Sequence, residues 1–193
     1  MKKLTLALLC ALPLLTHAEL IDHSVQHIKV NPNSPSKLAT QEVDGGELAA
    51  KRQLLLGTWQ CQSSPQMNEE YKSEVSATYQ FLPDGTLKVS KVSKVTSERG
   101  EGAYHVDTDR RWRLYQEADL LLIAEQNTAL TRFDSHNVDP MEAQNLQEFA
   151  KDTSRVSDMI VGMLNDTRFE FGYTNGIVTK LDVFRCQRVN DAK

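Results

Sequence analysis

Cys61 and Cys186 carry the clearest chemistry in this chain of 193 residues. The third cysteine, Cys10, lies in an apolar N-terminal stretch, so an even pair remains beyond it. In an oxidising compartment such a pair is most simply one disulfide. Neither cysteine has a second Cys or a His at ligand spacing, which argues against a metal pair; two free thiols are the other alternative. A Cys61–Cys186 bridge would close a loop of more than a hundred residues and contribute on the order of 4–5 kcal/mol by the chain-entropy model. It would also set the first core strand beside the last.

The remaining reactive residues are scattered. His23 and His27 are four apart and could share a helical face, but they stand in a polar, irregular stretch that suits solvated histidines. His105, between Tyr104 and Val106, should point away from the core. Asp134, Ser135 and His136 are neighbours in sequence, an arrangement that rarely builds a catalytic triad. Asp107, Asp109, Arg110, Arg111 and Arg113 form the densest charge cluster, read as a solvated strand end or a contact for an anion or partner. Tyr71, Tyr79, Phe81, Trp112, Phe169, Phe171 and Tyr173 could line a cavity or fill a core. There is no Gly-x-Ser-x-Gly elbow, phosphate loop, His-Glu-x-x-His or Rossmann glycine pattern. The expectation is a non-enzymatic protein without metal or cofactor.

The elements that would position these residues are mostly strands. Gly57–Gln62 reads as the first, after a short helix over 47–56. Val75, Ala77, Tyr79 and Phe81 alternate with polar residues, and Pro83-Asp84-Gly85 turns the chain into Leu87 and Val89, so 73–92 predicts a hairpin. Val92 and Val95 break the phase set by Leu87, which predicts a bulge or a strand end. Tyr104 with Val106 and Trp112 with Leu114 read as two strands separated by a bend at Asp107–Arg110, and Leu120–Ile123 as a short buried strand. Between Asn127 and Asp166 the texture turns helical. Asp139 is a good N-cap, Pro140 suits the first turn, and Leu146, Phe149, Ala150, Met159, Ile160, Met163 and Leu164 recur at three- and four-residue spacing. This predicts a helical insert over 139–165, with Met159 and Met163 as an adaptable cover for a barrel mouth or as packing. Phe169, Phe171 and Tyr173, an Asn175-Gly176 turn and Ile177–Val189 complete a final hairpin. About eight antiparallel strands with tied ends favour a closed or nearly closed barrel with a helical insert before the last hairpin; an open sheet with the helix across it is the competitor.

Met1-Lys2-Lys3, an apolar run from Leu4 to Leu15 and a small residue at Ala18 predict a signal peptide over 1–18, cleaved near Ala18. The apolar run is shorter than the ~20 residues of a membrane span. Leu9 before Cys10 is poorly suited to lipid attachment. Removal leaves 175 residues and takes two lysines off the formal charge of −4, giving −6. An acidic chain with no basic stripe argues against nucleic acid and against anionic membrane surfaces. Residues 19–46, with two prolines and Gly45-Gly46, read as a flexible leader, and 47–193 as one barrel domain in the periplasm or the medium.

Gly57-Thr58-Trp59, at the head of the first strand after a helical lead-in, resembles the Gly-x-Trp opening of lipocalin and fatty-acid-binding barrels. The resemblance implies that Trp59 pairs with an arginine of the final strand, Arg188 or Arg185, whose planar guanidinium stacks on the indole and plugs one end. Phe81–Leu87 followed by Trp112-Arg113-Leu114 looks like the small bacterial lipocalin-like domains. The insert falls before the last strands, whereas lipocalins place a helix after the barrel. Thr108-Asp109 is similar to a second lipocalin motif, with Arg110 where a Tyr is expected. The resemblance implies a carrier of a small apolar ligand, with Tyr79, Phe81, Trp112, Phe169, Phe171 and Tyr173 as candidate cavity lining. The alternative is an inhibitor or immunity-type protein that binds a secreted enzyme.

Overall fold

The computed structural model describes residues 46–63, 66–67, 71–97, 100–117, 119–173 and 183–189. Helix α1 (Glu47–Leu55) leads into β1 (Gly57–Ser63), followed by β2 (Gln66–Met67), β3 (Tyr71–Phe81), β4 (Thr86–Ser97), β5 (Gly100–Glu117) and β6 (Leu120–His136). Helix α2 (Pro140–Lys151) then precedes β7 (Val156–Leu164), β8 (Arg168–Tyr173) and β9 (Val183–Arg188). Each strand from β3 to β9 pairs antiparallel with the next, and β1 pairs with both β3 and β9. The sheet therefore closes on itself as an eight-stranded barrel of β1 and β3–β9, which leaves no edge along the closed part.

Alternation decides what faces inward. On β3 the buried positions are Ala77, Tyr79 and Phe81, the face predicted from sequence. The Pro83–Gly85 turn forms as expected: Gly85 adopts φ 83°, and the Asp84 carboxylate accepts the Thr86 amide at 2.9 Å. Beyond it β4 runs unbroken, with Leu87, Val89, Ser93 and Val95 buried and Val92 in the opposite phase. The predicted break at Val92 is absent because Val92 is simply an apolar residue on the outer phase.

Three expectations are corrected. Asp107–Arg110 is no bend: β5 passes straight through it, and the irregularity lies in β6, where Thr128 and Thr131 have no residue opposite them. The strand read at Leu120–Ile123 continues to His136, so 127–136 is not helical. The helix predicted over 139–165 covers only Pro140–Lys151, and Val156–Leu164 is strand β7. Met159 and Met163 therefore lie in the wall rather than on a mobile cover. The helix start itself is as read, with Asp139 accepting the amides of Met141 and Glu142. The predicted Asn175-Gly176 turn, the leader 19–45 and the segment 1–18 lie outside the described residues.

Cys61 and Cys186 stand directly opposite one another in the β1–β9 ladder and are joined by a disulfide, with Cα atoms 4.0 Å apart. The bond spans 125 residues, a length for which the entropy model gives about 5 kcal/mol. Replacing both cysteines by alanine, or treating the parent with reductant, should lower the urea midpoint by an amount equivalent to about 2–5 kcal/mol, and the reductant should have no effect on the double variant. A loss under about 1 kcal/mol would mean that strand pairing alone holds the seam closed.

Candidate functional site

One end of the barrel is solid. Trp59 lies fully buried, donating its indole N–H to the Leu55 carbonyl at 2.8 Å. Across the seam, Trp59 faces Arg188 in register, and the Arg188 guanidinium sits over the indole, 4.3 Å from its centre. Arg188 also donates to the carbonyls of Leu56 and Asp166, each at 2.6 Å, and to that of Leu54. The chain ends of α1, β1 and the β7–β8 turn are thus tied by one side chain. Gly57 is required here: its φ is 113°, and a Cβ on it would meet Arg188 Nη1 at 2.8 Å. Arg185 takes no part, lying exposed 3.8 Å from Glu170 on the outer wall.

Above this plug the aromatic residues interlock. Phe81 packs edge-on against Trp112 and Phe169, and Phe171 stacks on Phe169 and Phe184. Of the six residues expected to line a cavity, Phe81, Trp112, Phe169 and Phe171 are core, buried to within 5 %. Only Tyr79 and Tyr173 reach the open space. The physical reason is barrel width: eight strands leave an interior that large side chains fill.

The open space is a cavity of about 240 Å³ between the upper interior and α2. Leu146, Phe149 and Ala150 of α2 form its cover. The helix is anchored to β6 by Asn127, whose side-chain amide donates to the Ala150 carbonyl at 3.1 Å; in the following loop Gln126 donates to the Thr153 carbonyl at 2.7 Å. The floor is polar and was missed by reading the sequence. Arg110, from β5, bonds Glu125 Oε1 on the neighbouring β6 at 2.5 Å and the Thr108 hydroxyl at 2.9 Å. Tyr79 and Tyr173 share a hydrogen bond at 3.1 Å beside this pair. Among the described residues, Glu125 Oε2 and the Ser93 hydroxyl are buried without a partner.

These groups tune each other. Burial, reinforced by the Glu125 charge, pushes the Tyr79 phenol up to about 12, and burial likewise raises Tyr173 well above its ordinary value. Both remain neutral hydrogen-bonding groups. Burial works hardest against the Arg110 charge, but Glu125 together with the Tyr173 and Tyr79 side chains outweighs it, and the guanidinium is held charged.

On the outer wall, Ser90, His105 and Asp107 come together: His105 Nε2 is 3.0 Å from the Ser90 hydroxyl and 2.9 Å from Asp107 Oδ1. Both contacts use one ring nitrogen, whereas proton relay from a serine needs its partners on opposite nitrogens. The cluster is one cross-strand hydrogen bond, Ser90 to His105, with the Asp107 carboxylate close by but not hydrogen-bonded through Oδ1, and His105 is outward as predicted. Asp134, Ser135 and His136 lie in sequence along the exposed C-terminal end of β6, with Asp134 paired to Arg132. His23 and His27 lie outside the described residues, among which no cluster of His, Cys, Asp and Glu could hold a metal ion. No protein-family model matches this chain, and no curated protein matches it either.

Proposed function

We propose that the chain is an exported, non-enzymatic binding protein that holds a small ligand in the cavity beneath α2. The carrying observation is a closed barrel plugged at one end and hollow at the other, with a helix over the hollow and hydrogen-bonding groups on its floor. Ligand sites combine such concavity with a few fixed polar groups. At about 240 Å³ the space is smaller, and at its floor more polar, than a carrier of a large apolar molecule needs. The ligand is therefore small and amphipathic rather than wholly apolar. Lipocalin-like character is supported by the Gly57, Trp59 and Arg188 arrangement and by the meandering strand order. Export to the periplasm or medium is supported by the disulfide and by the signal-like opening of the sequence. Among the described residues, no helix is long and apolar enough to cross a membrane.

A protein-binding role is the second reading, favoured by Met141 and Phe149, large apolar residues more than half exposed on α2. Native mass spectrometry of the protein purified from its own host separates the two. The ligand reading expects a retained small molecule that disappears in Ala150→Trp, where a large ring on α2 occupies the cavity. A retained polypeptide, unchanged by that substitution, overturns it.

A further inference from the structure

We infer that the cavity selects a small uncharged amphiphile bearing a hydroxyl group, whose head meets the Arg110–Glu125 pair while its apolar body lies under α2. The inference rests on reading the cavity as a ligand site. Size comes first. A volume of about 240 Å³ equals roughly eight waters at ~30 Å³ each, room for one ring with a short polar substituent. The cover is apolar, from Leu146, Phe149 and Ala150. An apolar body against that cover leaves the head on the floor.

The floor decides the head. Arg110 and Glu125 neutralise each other in contact, and the Glu125 side chain is 4 % exposed. Any net charge brought against this pair becomes a third charge beside two that already neutralise each other. Such a charge meets weak screening and a desolvation penalty that nothing on the pair offsets. A ligand carboxylate would lie against Glu125, and a ligand ammonium against Arg110. Lys91 and Arg155 add cations to the wall, but Arg155 lies over the exposed Phe149 ring, 4.3 Å from its centre, where solvent screens it. Arg155 is therefore at the rim; Lys91 lies in the inward phase of β4 with Val89 and Ser93, and the benzoate arm of the series below tests whether its charge, rather than the neutral pair, decides the head.

What Glu125 Oε2 lacks is a donor. Glu125 Oε1 is taken by Arg110, whereas Oε2 has no partner among the described residues. A buried carboxylate oxygen left unsatisfied is destabilising, and a hydrogen bond from the ligand would recover that loss. A hydroxyl donates to that oxygen and still accepts from a neighbouring donor. It supplies both roles with no net charge.

A matched series tests this in the full mature chain: benzyl alcohol, toluene, benzoate and benzylammonium, titrated against ¹⁵N-labelled protein. The signals followed are the Arg110 Nε–H and the amides of 104–110 and 125–127. Benzyl alcohol should bind about tenfold or more tighter than each of the other three, a difference of about 1.4 kcal/mol. The double variant Arg110→Met/Glu125→Met, with its floor made apolar, should lose the preference for alcohol over toluene. Tighter binding of either ion, or equal binding of alcohol and toluene, overturns the head-group assignment alone. Failure of all four to bind at millimolar concentration overturns the cavity as a ligand site, and the assignment with it.

Discussion

Arg110→Ala should lose about 3–5 kcal/mol of stability, the cost of removing one partner from a buried ion pair. The pair is well inside the wall: the Arg110 and Glu125 side chains are 16 % and 4 % exposed. Truncation would strand the Glu125 carboxylate beside the Tyr79 and Tyr173 hydroxyls, with neither of its oxygens held by a guanidinium. Glu125→Ala should cost a similar amount, since it strands the cation instead. The double variant Arg110→Met/Glu125→Met behaves differently. It removes both charges and keeps most of the volume, so it should lie within about 1–2 kcal/mol of the parent or above it. Urea unfolding followed by fluorescence of the two tryptophans gives all three values through the midpoint and slope. A single-variant loss below about 1 kcal/mol would place the pair in effective contact with water.

That non-additivity bears on function. If apolar replacement is tolerated, the ion pair is not retained for the strength of the fold. Local rules broken without a gain in stability concentrate at working sites. Here the broken rule is a charge pair in a barrel interior filled mostly by aromatic and aliphatic side chains, and it lies on the floor of the cavity covered by α2.

How much of this was legible follows from which faces are buried. On β3 one face is buried and one wet, so alternation announced Ala77, Tyr79 and Phe81 correctly. Strand β7 hides both faces: Met159 enters the barrel core, and Ile160 joins Tyr115, Leu122 and Ala124 in a second cluster on the outer side. Apolar residues on both faces erase the period of two, and the sequence 156–164 imitates helical spacing. Gly162, unpaired at the irregularity between Val161 and Met163, further shifts the phase. Arg110 was hidden by its neighbours. Among Asp107, Asp109, Arg111 and Arg113 it reads as one more solvated charge. The signal that could have found it is phase: Tyr104, Val106, Thr108, Arg110, Trp112 and Leu114 form one unbroken alternation. Glu125 likewise continues the phase of Ile123. The disulfide was legible because only two cysteines lie beyond the apolar N-terminal stretch; the Trp59–Arg188 pair was legible only through the resemblance, which left Arg185 open as well.

At the opposite end, Trp59→Ala should cost about 3–5 kcal/mol, as removal of a fully buried large aromatic side chain does. More than transfer energy is at stake. The indole packs edge-on against Phe169, 5.7 Å between centres, and forms the surface on which Arg188 lies. Arg188→Lys is therefore not a conservative change. A lysine keeps the charge but loses the planar fork that reaches the carbonyls of Leu54, Leu56 and Asp166 together. Three acceptors around one lost guanidinium predict a loss of about 2–4 kcal/mol for the lysine variant. Gly57→Ala should approach the same loss, because it disturbs the same arginine by contact and strains the backbone at φ 113°. The discriminating result is additivity. Gly57→Ala combined with Arg188→Lys should fall short of the sum of the single losses by about 1 kcal/mol or more, since both act through one guanidinium. Strict additivity would mean that the glycine and the arginine serve separate parts of the closed end. The plug would then be two local contacts rather than one tie across the seam where the barrel closes.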